Sequence, residues 1–225
     1  MAEMKKQIGI LMLVLIAFAS RAEVTNLTVS ASVNTPVPDA NPTGISSSVN
    51  VSGMYSGVVS LTVDLNITGG FNGDLYAYLL SPDNTIAVLL NRVGMNSSDS
   101  IGYGDAGLNI TLTAAGYNIH DYQNFSPVFS GGQLTGTWAP DQRTIDPQSD
   151  PSLFDAAPTG NNLSIFNDTD PNGVWKLFVS DLSGENQSTL VSWGLTVVTV
   201  PEPQTWTLLG GGLTALWWFG RNRRK

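Results

Sequence analysis

Cysteine is absent from the 225 residues, so no disulfide holds this chain together and its stability must come from a core, from ions or from both. Positive charge is nearly as scarce once the two ends are set aside. Residues 23–200 contain only Arg92, Arg143 and Lys176 against sixteen Asp and Glu, a net charge of −13. Seven of the ten basic residues lie in the two terminal segments. Such an acidic segment argues against nucleic acid and anionic membrane surfaces as partners, because phosphate recognition draws on clustered Lys and Arg. Its acidity is compatible with divalent cations and equally with plain solubility. Histidine occurs once, at His120, and no Gly-x-Ser-x-Gly elbow is present. No stretch of residues 23–200 sustains a helical period.

What is present is a period of two. Val59, Leu61, Val63, Leu65 and Ile67 alternate with Ser60, Thr62, Asp64, Asn66 and Thr68, which puts one parity in a core and the other in solvent. Similar patterns mark 174–180 and 190–200, the latter with Val191, Trp193, Leu195 and Val197 on one parity. Further strands are expected at 24–33, 46–52, 74–80, 85–90 and 107–113, separated by Gly, Asn, Asp, Ser and Pro. The spacing predicts one all-β domain, an antiparallel sandwich. The stretch 116–162 carries Pro127, Pro140, Pro147, Pro151 and Pro158 with few alternating runs. It reads as long loops over the sandwich, where a binding surface would sit.

The ends carry targeting devices. Lys5 and Lys6 precede an apolar run, Ile8 to Ala19, followed by small residues, the pattern of a cleaved signal peptide over 1–22. At the other end, Val200-Pro201-Glu202-Pro203 precedes an apolar run from Gln204 to Gly220 and a basic tail, Arg221-Asn222-Arg223-Arg224-Lys225. The prolines fix φ and remove donors, so the last strand stops and the Pro-Glu-Pro stretch stays extended and accessible. A 17-residue helix reaches about 25 Å, the lower limit for crossing a bilayer core, and the basic cluster holds its end on the cytoplasmic side. Residues 200–225 resemble the PEP-CTERM sorting signal. The resemblance implies processing at Pro201, Glu202 and Pro203 by an exosortase-type enzyme. It also implies export, a transient inner-membrane anchor and final residence at the cell surface or outside the cell, with extracellular polysaccharide as a partner.

A second resemblance covers residues 23–199. Val37-Pro38-Asp39, Ile67-Thr68-Gly69-Gly70-Phe71-Asn72-Gly73-Asp74-Leu75, Leu80-Ser81-Pro82-Asp83-Asn84-Thr85, Asn172-Gly173-Val174-Trp175 and Ser192-Trp193-Gly194-Leu195 occur in that order. Together they resemble the P domain, or P/Homo B domain, of proprotein convertases. The resemblance implies a jelly-roll-like sandwich of about eight strands with no catalytic role of its own, beside a separately encoded subtilisin-like serine endopeptidase. Trp175 and Trp193 are expected in the core on neighbouring strands, and Gly73-Asp74 and Asn172-Gly173 at strand-entry turns that tolerate positive φ. His120 with Asp121 has the residue types of a base and its orienter, but reads as a solvent-exposed loop histidine.

Calcium is the cofactor to consider. Asp168-Thr169-Asp170-Pro171-Asn172-Gly173 matches the first half of an Asp-x-Asp-x-Asn-Gly loop, whose alternate side chains converge on an ion. Position twelve is Val179 where a bidentate Glu is required, so an EF-hand is excluded and ligands must come from elsewhere. The P-domain resemblance points to Asp39, Asp74 and Asp181 beside Asp168, Asp170 and Asn172. The same residue types also make turns through side chain to backbone hydrogen bonds. Asp141, Asp146, Asp150 and Asp155 form a second acidic group in the Pro-rich stretch. Nine Asn-x-Ser/Thr acceptor patterns, from Asn26 to Asn186, allow for glycosylation. Two functions follow, a surface or matrix protein with a binding or adhesion role and an accessory domain of a protease.

Overall fold

The computed structural model describes residues 23–160 and 162–201, so the signal-peptide reading and the apolar C-terminal run fall outside the described residues. Among the described residues, ten strands form two sheets. They are β1 (Thr25–Pro36), β2 (Asn41–Val51), β3 (Val58–Gly69), β4 (Leu75–Leu80), β5 (Ile86–Asn91), β6 (Leu108–Leu112), β7 (Val128–Ser130), β8 (Gln133–Trp138), β9 (Gly173–Asp181) and β10 (Ser188–Thr199). The larger sheet runs β1-β10-β3-β6-β8-β7 and the smaller β2-β9-β4-β5. Four short 3₁₀ turns interrupt the connections, at Asn72–Asp74, Ile119–Phe125, Pro151–Phe154 and Leu163–Phe166. No helix among the described residues is long and apolar enough to cross a membrane. Val24–Val200 forms one compact unit.

The fold is the expected all-β sandwich, and each of the eight predicted strands is found. Two strands were not expected, β7 and β8, which lie inside the stretch read as loops. β7 has three residues, too few to show alternation, and β8 is interrupted by Gly136, held at a φ of 102°. The sandwich is also not wholly antiparallel. β6 pairs parallel to β8, from Leu108 opposite Leu134 to Leu112 opposite Trp138. A parallel pair needs a long crossover, and residues 113–132 supply it.

The alternating residues face the core as patterned, with two exceptions. Leu61, Val63, Leu65 and Ile67 are buried, but Val59 is exposed and Val58 takes its place. A bulge causes this, since the pairing of β3 with β10 steps from Ser60 opposite Val198 to Val58 opposite Thr199. A second bulge at Val191 makes Leu190 and Trp193, rather than Val191 and Trp193, the adjacent buried pair. The tryptophans are core residues, yet they do not share a sheet. Trp175 lies on β9 of the smaller sheet, stacks edge-on against Phe166 at 5.0 Å and donates to Pro171 O at 2.8 Å. Trp193 lies on β10 of the larger sheet and reaches across to Ser47 Oγ on β2 at 2.9 Å. Each buries an apolar body while its indole N–H finds an acceptor, so little of the roughly 2 kcal/mol gained per buried large side chain is lost to an unmet donor.

Candidate functional site

Strand β9 decides which acidic residues can meet. Asn50 opposes Val174 and Val51 opposes Gly173 at its start, whereas Asn41 and Leu75 both oppose Asp181 at its end. Asp168, Asp170 and Asn172 therefore sit at one end of the sandwich, and Asp39, Asp74 and Asp181 at the other. At about 3.3 Å per residue, the nine residues of β9 hold the two groups roughly 25 Å apart. The six residues do not converge on one ion.

At the first end the side chains are already engaged. Asn172 Oδ1 accepts from Met54 N at 2.9 Å, and its Nδ2 donates to Met54 O at 2.8 Å and Asp170 Oδ1 at 2.6 Å. Asp170 Oδ1 also accepts from Asn172 N at 3.0 Å, and these two bonds hold its carboxyl below the usual range. Asn172 thus clamps the loop before β3 to the entry of β9, while Asp168 is exposed with a φ of 62°. The turn is closed by its own hydrogen bonds. Gly173 does take a positive φ, 131°, as expected. Gly73 does not. It is needed there because a Cβ would overlap Ile101 O and the Gly102 backbone.

The second end is different in kind. Gly69 and Gly70, at φ values of 70° and 65°, turn the chain out of β3 into the 3₁₀ turn that carries Asp74. A side chain at Gly70 would strike Ser188, so this turn tolerates only glycine. Asp74 and Asp181 are buried, at 4% and 0% exposure. Arg92 Nη2 stands 3.6 Å from Asp74 Oδ1, beyond hydrogen-bond reach. The guanidinium spends its donors elsewhere, Nε on Gly73 O at 2.7 Å and Nη2 on Ser183 Oγ at 3.1 Å. Neither oxygen of Asp181 receives a well-aligned hydrogen bond, although the Ser188 hydroxyl and the Ser183 N–H stand beside it and favour its ionised form.

Burial raises the pKa of both carboxyls. Asp181 is pushed up to about 6, by burial first; the Ser188 hydroxyl favours its ionised form, the charges of Asp74 and Asp39 oppose it, and the Ser183 backbone favours it least. Asp74 is also raised, chiefly by burial, which the Arg92 charge only partly offsets. In front of Asp74 lies a cavity of about 310 Å³ whose walls are Phe71, Ile101 and Tyr103 and whose rim includes Ser183 and Glu185. Oxygen donors suit calcium. Even so, among the described residues no three carboxylate or imidazole groups stand close enough to hold one ion, and Arg92 already occupies the flank of Asp74.

His120 is not the solvent-exposed loop residue that the sequence implied. It is 2% exposed, with Nδ1 2.7 Å from Asp141 Oδ2 and Nε2 3.1 Å from Met95 O. Asp141 also accepts from Asn91 N at 3.1 Å and meets Arg143 Nη1 at 3.1 Å. Asp121 is not its partner. Both ring nitrogens are engaged by β5-side and loop groups, and no hydroxyl is among their partners, so the cluster fastens the Pro-rich stretch to the sheet. The remaining acids there make turns, Asp146 accepting from Gln148 N, Asp150 from Ser152 N and Asp155 from Ser97 N.

Ser183 and Tyr103 had no place in the reading of the sequence, and Phe71 and Arg92 entered it only as part of a motif and as a rare cation. Arg92 had one available signal, being one of three cations among sixteen acids between 23 and 200.

No family model matches the chain. Leupeptin-inactivating enzyme 1 of Streptomyces exfoliatus is 35% identical over 98 residues, a match covering 38% of this chain and 22% of that enzyme. The crystal structure of the Aeromonas sobria serine protease in complex with the chaperone ORF2 aligns at a TM-score of 0.41 and 16% identity, over 79% of this chain and 27% of that one. The structure of the Aeromonas sobria serine protease gives 0.40 and 16%, over 78% and 27%. The chain spans about a quarter of the length of the proteins it matches.

Proposed function

We propose that the chain is an exported, non-catalytic β-sandwich that serves as a binding module for a separately encoded enzyme, a serine endopeptidase in the first instance. The observation that carries this reading is His120. The chain's single histidine is buried with both nitrogens engaged, which leaves no free imidazole to act as a base, and the cavity in front of Asp74 offers carboxylates and aromatic walls whose one serine, Ser183, accepts from Arg92 and has no imidazole beside it. The partial match to leupeptin-inactivating enzyme 1 supports it, since the shared segment is a minor part of a longer enzyme. In this reading residues 1–22 direct export, and an exosortase-type enzyme processes the chain at Pro201, Glu202 and Pro203. The test mixes the purified protein with a subtilisin-like endopeptidase of the same organism. A complex in sedimentation and a longer thermal half-life of the protease are expected, with no hydrolysis of peptide or ester substrates by the module alone. A protease that neither associates nor gains lifetime counts against it.

A second reading, a surface or polysaccharide-matrix component, rests on one feature. Tyr117 and Phe125 stack at 3.9 Å and 11°, with Tyr117 61% exposed, a rigid aromatic pair of the sort that packs against the apolar faces of sugars. Retention on a neutral polysaccharide that is lost in Tyr117→Ala would favour it.

A further inference from the structure

The end of the sandwich around Asp74 carries more negative charge than it compensates. Asp74 and Asp181 are buried there, the charge of Asp39 acts on both, Glu185 stands at the rim, and among the described residues Arg92 is the one cation paired with this group, through Asp74. Asp181, fully buried behind Asp74 with only the Ser188 hydroxyl and the Ser183 backbone near its oxygens, adds its charge to that end without lining the cavity itself. A buried anion without a counter-charge costs several kcal/mol, on the order of what a bound cation returns. The three carboxylates do not close on one point, which disfavours a bare ion, and the space in front of Asp74 is not shaped for one. It is walled by an isoleucine and two aromatic side chains, Ile101 being 68% exposed. At about 310 Å³ it is at the lower end of ligand cavities, the size for one long side chain rather than a folded ligand.

We propose that this cavity binds a basic side chain, arginine or lysine, presented on an extended segment of the partner protein. The charged head meets the Asp74 carboxylate beneath it, and the aliphatic stem lies between Phe71, Ile101 and Tyr103. Long basic side chains bury their methylenes against apolar walls while the head keeps polar contacts, and a guanidinium also gains from the face of an aromatic ring. The −13 charge of residues 23–200 draws a basic segment toward the protein before contact. The inference rests on the reading of the chain as a partner-binding module and names the chemistry of the contact.

The experiment titrates the purified protein with the peptide acetyl-Gly-Arg-Gly-amide, its lysine counterpart and its citrulline counterpart, following the backbone amides of Gly102, Gly104 and Gly184 by NMR. Saturable shifts with the basic peptides are expected, with citrulline about tenfold weaker, equivalent to about 1.4 kcal/mol for the missing charge. Asp74→Asn should abolish the shifts. Glu185→Gln, at an exposed position, should weaken binding a few-fold without disturbing the fold. Equal binding of the arginine and citrulline peptides, or no shift with any peptide, overturns the proposal. So does calcium chloride shifting these amides where the peptides do not, which would make the site a metal site. An endopeptidase complex that survives both substitutions overturns the pocket and keeps the module. Peptide binding without any complex does the reverse.

Discussion

The two ends of β9 carry the same chemistry in opposite states. At its start, Asp170 and Asn172 are exposed or half-buried and every polar atom discussed has a partner within the turn or on Met54. At its end, Asp74 and Asp181 are buried, Asp74 met at a distance by Arg92 and Asp181 by no cation and no well-aligned hydrogen bond. An Asp-rich loop that looks like a ligand set is thus a finished structure, while acids scattered over the sequence form an unfinished one. Spacing along the chain does not distinguish a turn that satisfies itself from a site that waits for something.

Four substitutions sharpen this contrast. Arg92→Met should cost the most, about 3 kcal/mol or more at neutral pH, because it leaves Asp74 buried beside Asp181 with no cation near. Denaturant unfolding would measure the loss, which should shrink as pH falls and the carboxyls take up protons. Asp181→Asn should act in the opposite direction. Its folded pKa is raised from 3.8 to about 6, so the native state holds this proton more tightly than the unfolded chain. The carboxyl therefore costs nothing below pH 4, and costs progressively more as pH rises toward 6, with the full penalty above that. The variant should be more stable than the parent by roughly 2 kcal/mol at pH 7.5 and equal to it at pH 4. A parent whose stability rises between pH 4 and 6 because of this residue would refute the assignment of a raised pKa.

At the closed end the effects run smaller. Asn172→Ala removes the clamp on Met54 and should destabilise by about 1–2 kcal/mol, accompanied by faster amide exchange in the loop before β3. Asp170→Ala should cost only a fraction of that, because its bonds lie at the surface. An Asp170→Ala loss as large as that of Arg92→Met would dissolve the contrast between the ends.

Legibility followed the same division between local and distant causes. Most of the eight expected strands have side chains that face core and solvent in turn; β5 is the exception, with Ala87 to Asn91 all buried. β7 and β8 escaped because three residues and a glycine-broken six show no period, and because the parallel pairing of β8 with β6 leaves no hairpin signal. Val59 and Val191 were assigned to the core because a bulge shifts parity without changing composition. In the site, Asp39, Asp74 and Asp181 were named, but grouped with three residues about 25 Å away. Arg92 and Tyr103 were passed over because neither lies in a motif. His120 was misplaced because a loop assignment implies exposure, and only the approach of Asp141 from further along the Pro-rich stretch buries it.

The sequence by itself determined the all-β class, the buried tryptophans, the acidity of residues 23–200 and the absence of disulfides. All of these depend on residue type or on a period of two, quantities that local order carries. Only the tertiary structure decided that Trp175 and Trp193 belong to opposite sheets, that the candidate ligands divide between two ends, and that an arginine and an aromatic-walled cavity stand at one of them. Those outcomes depend on strand register, and register joins residues such as Asn41, Leu75 and Asp181 whose separation along the chain exceeds any local signal.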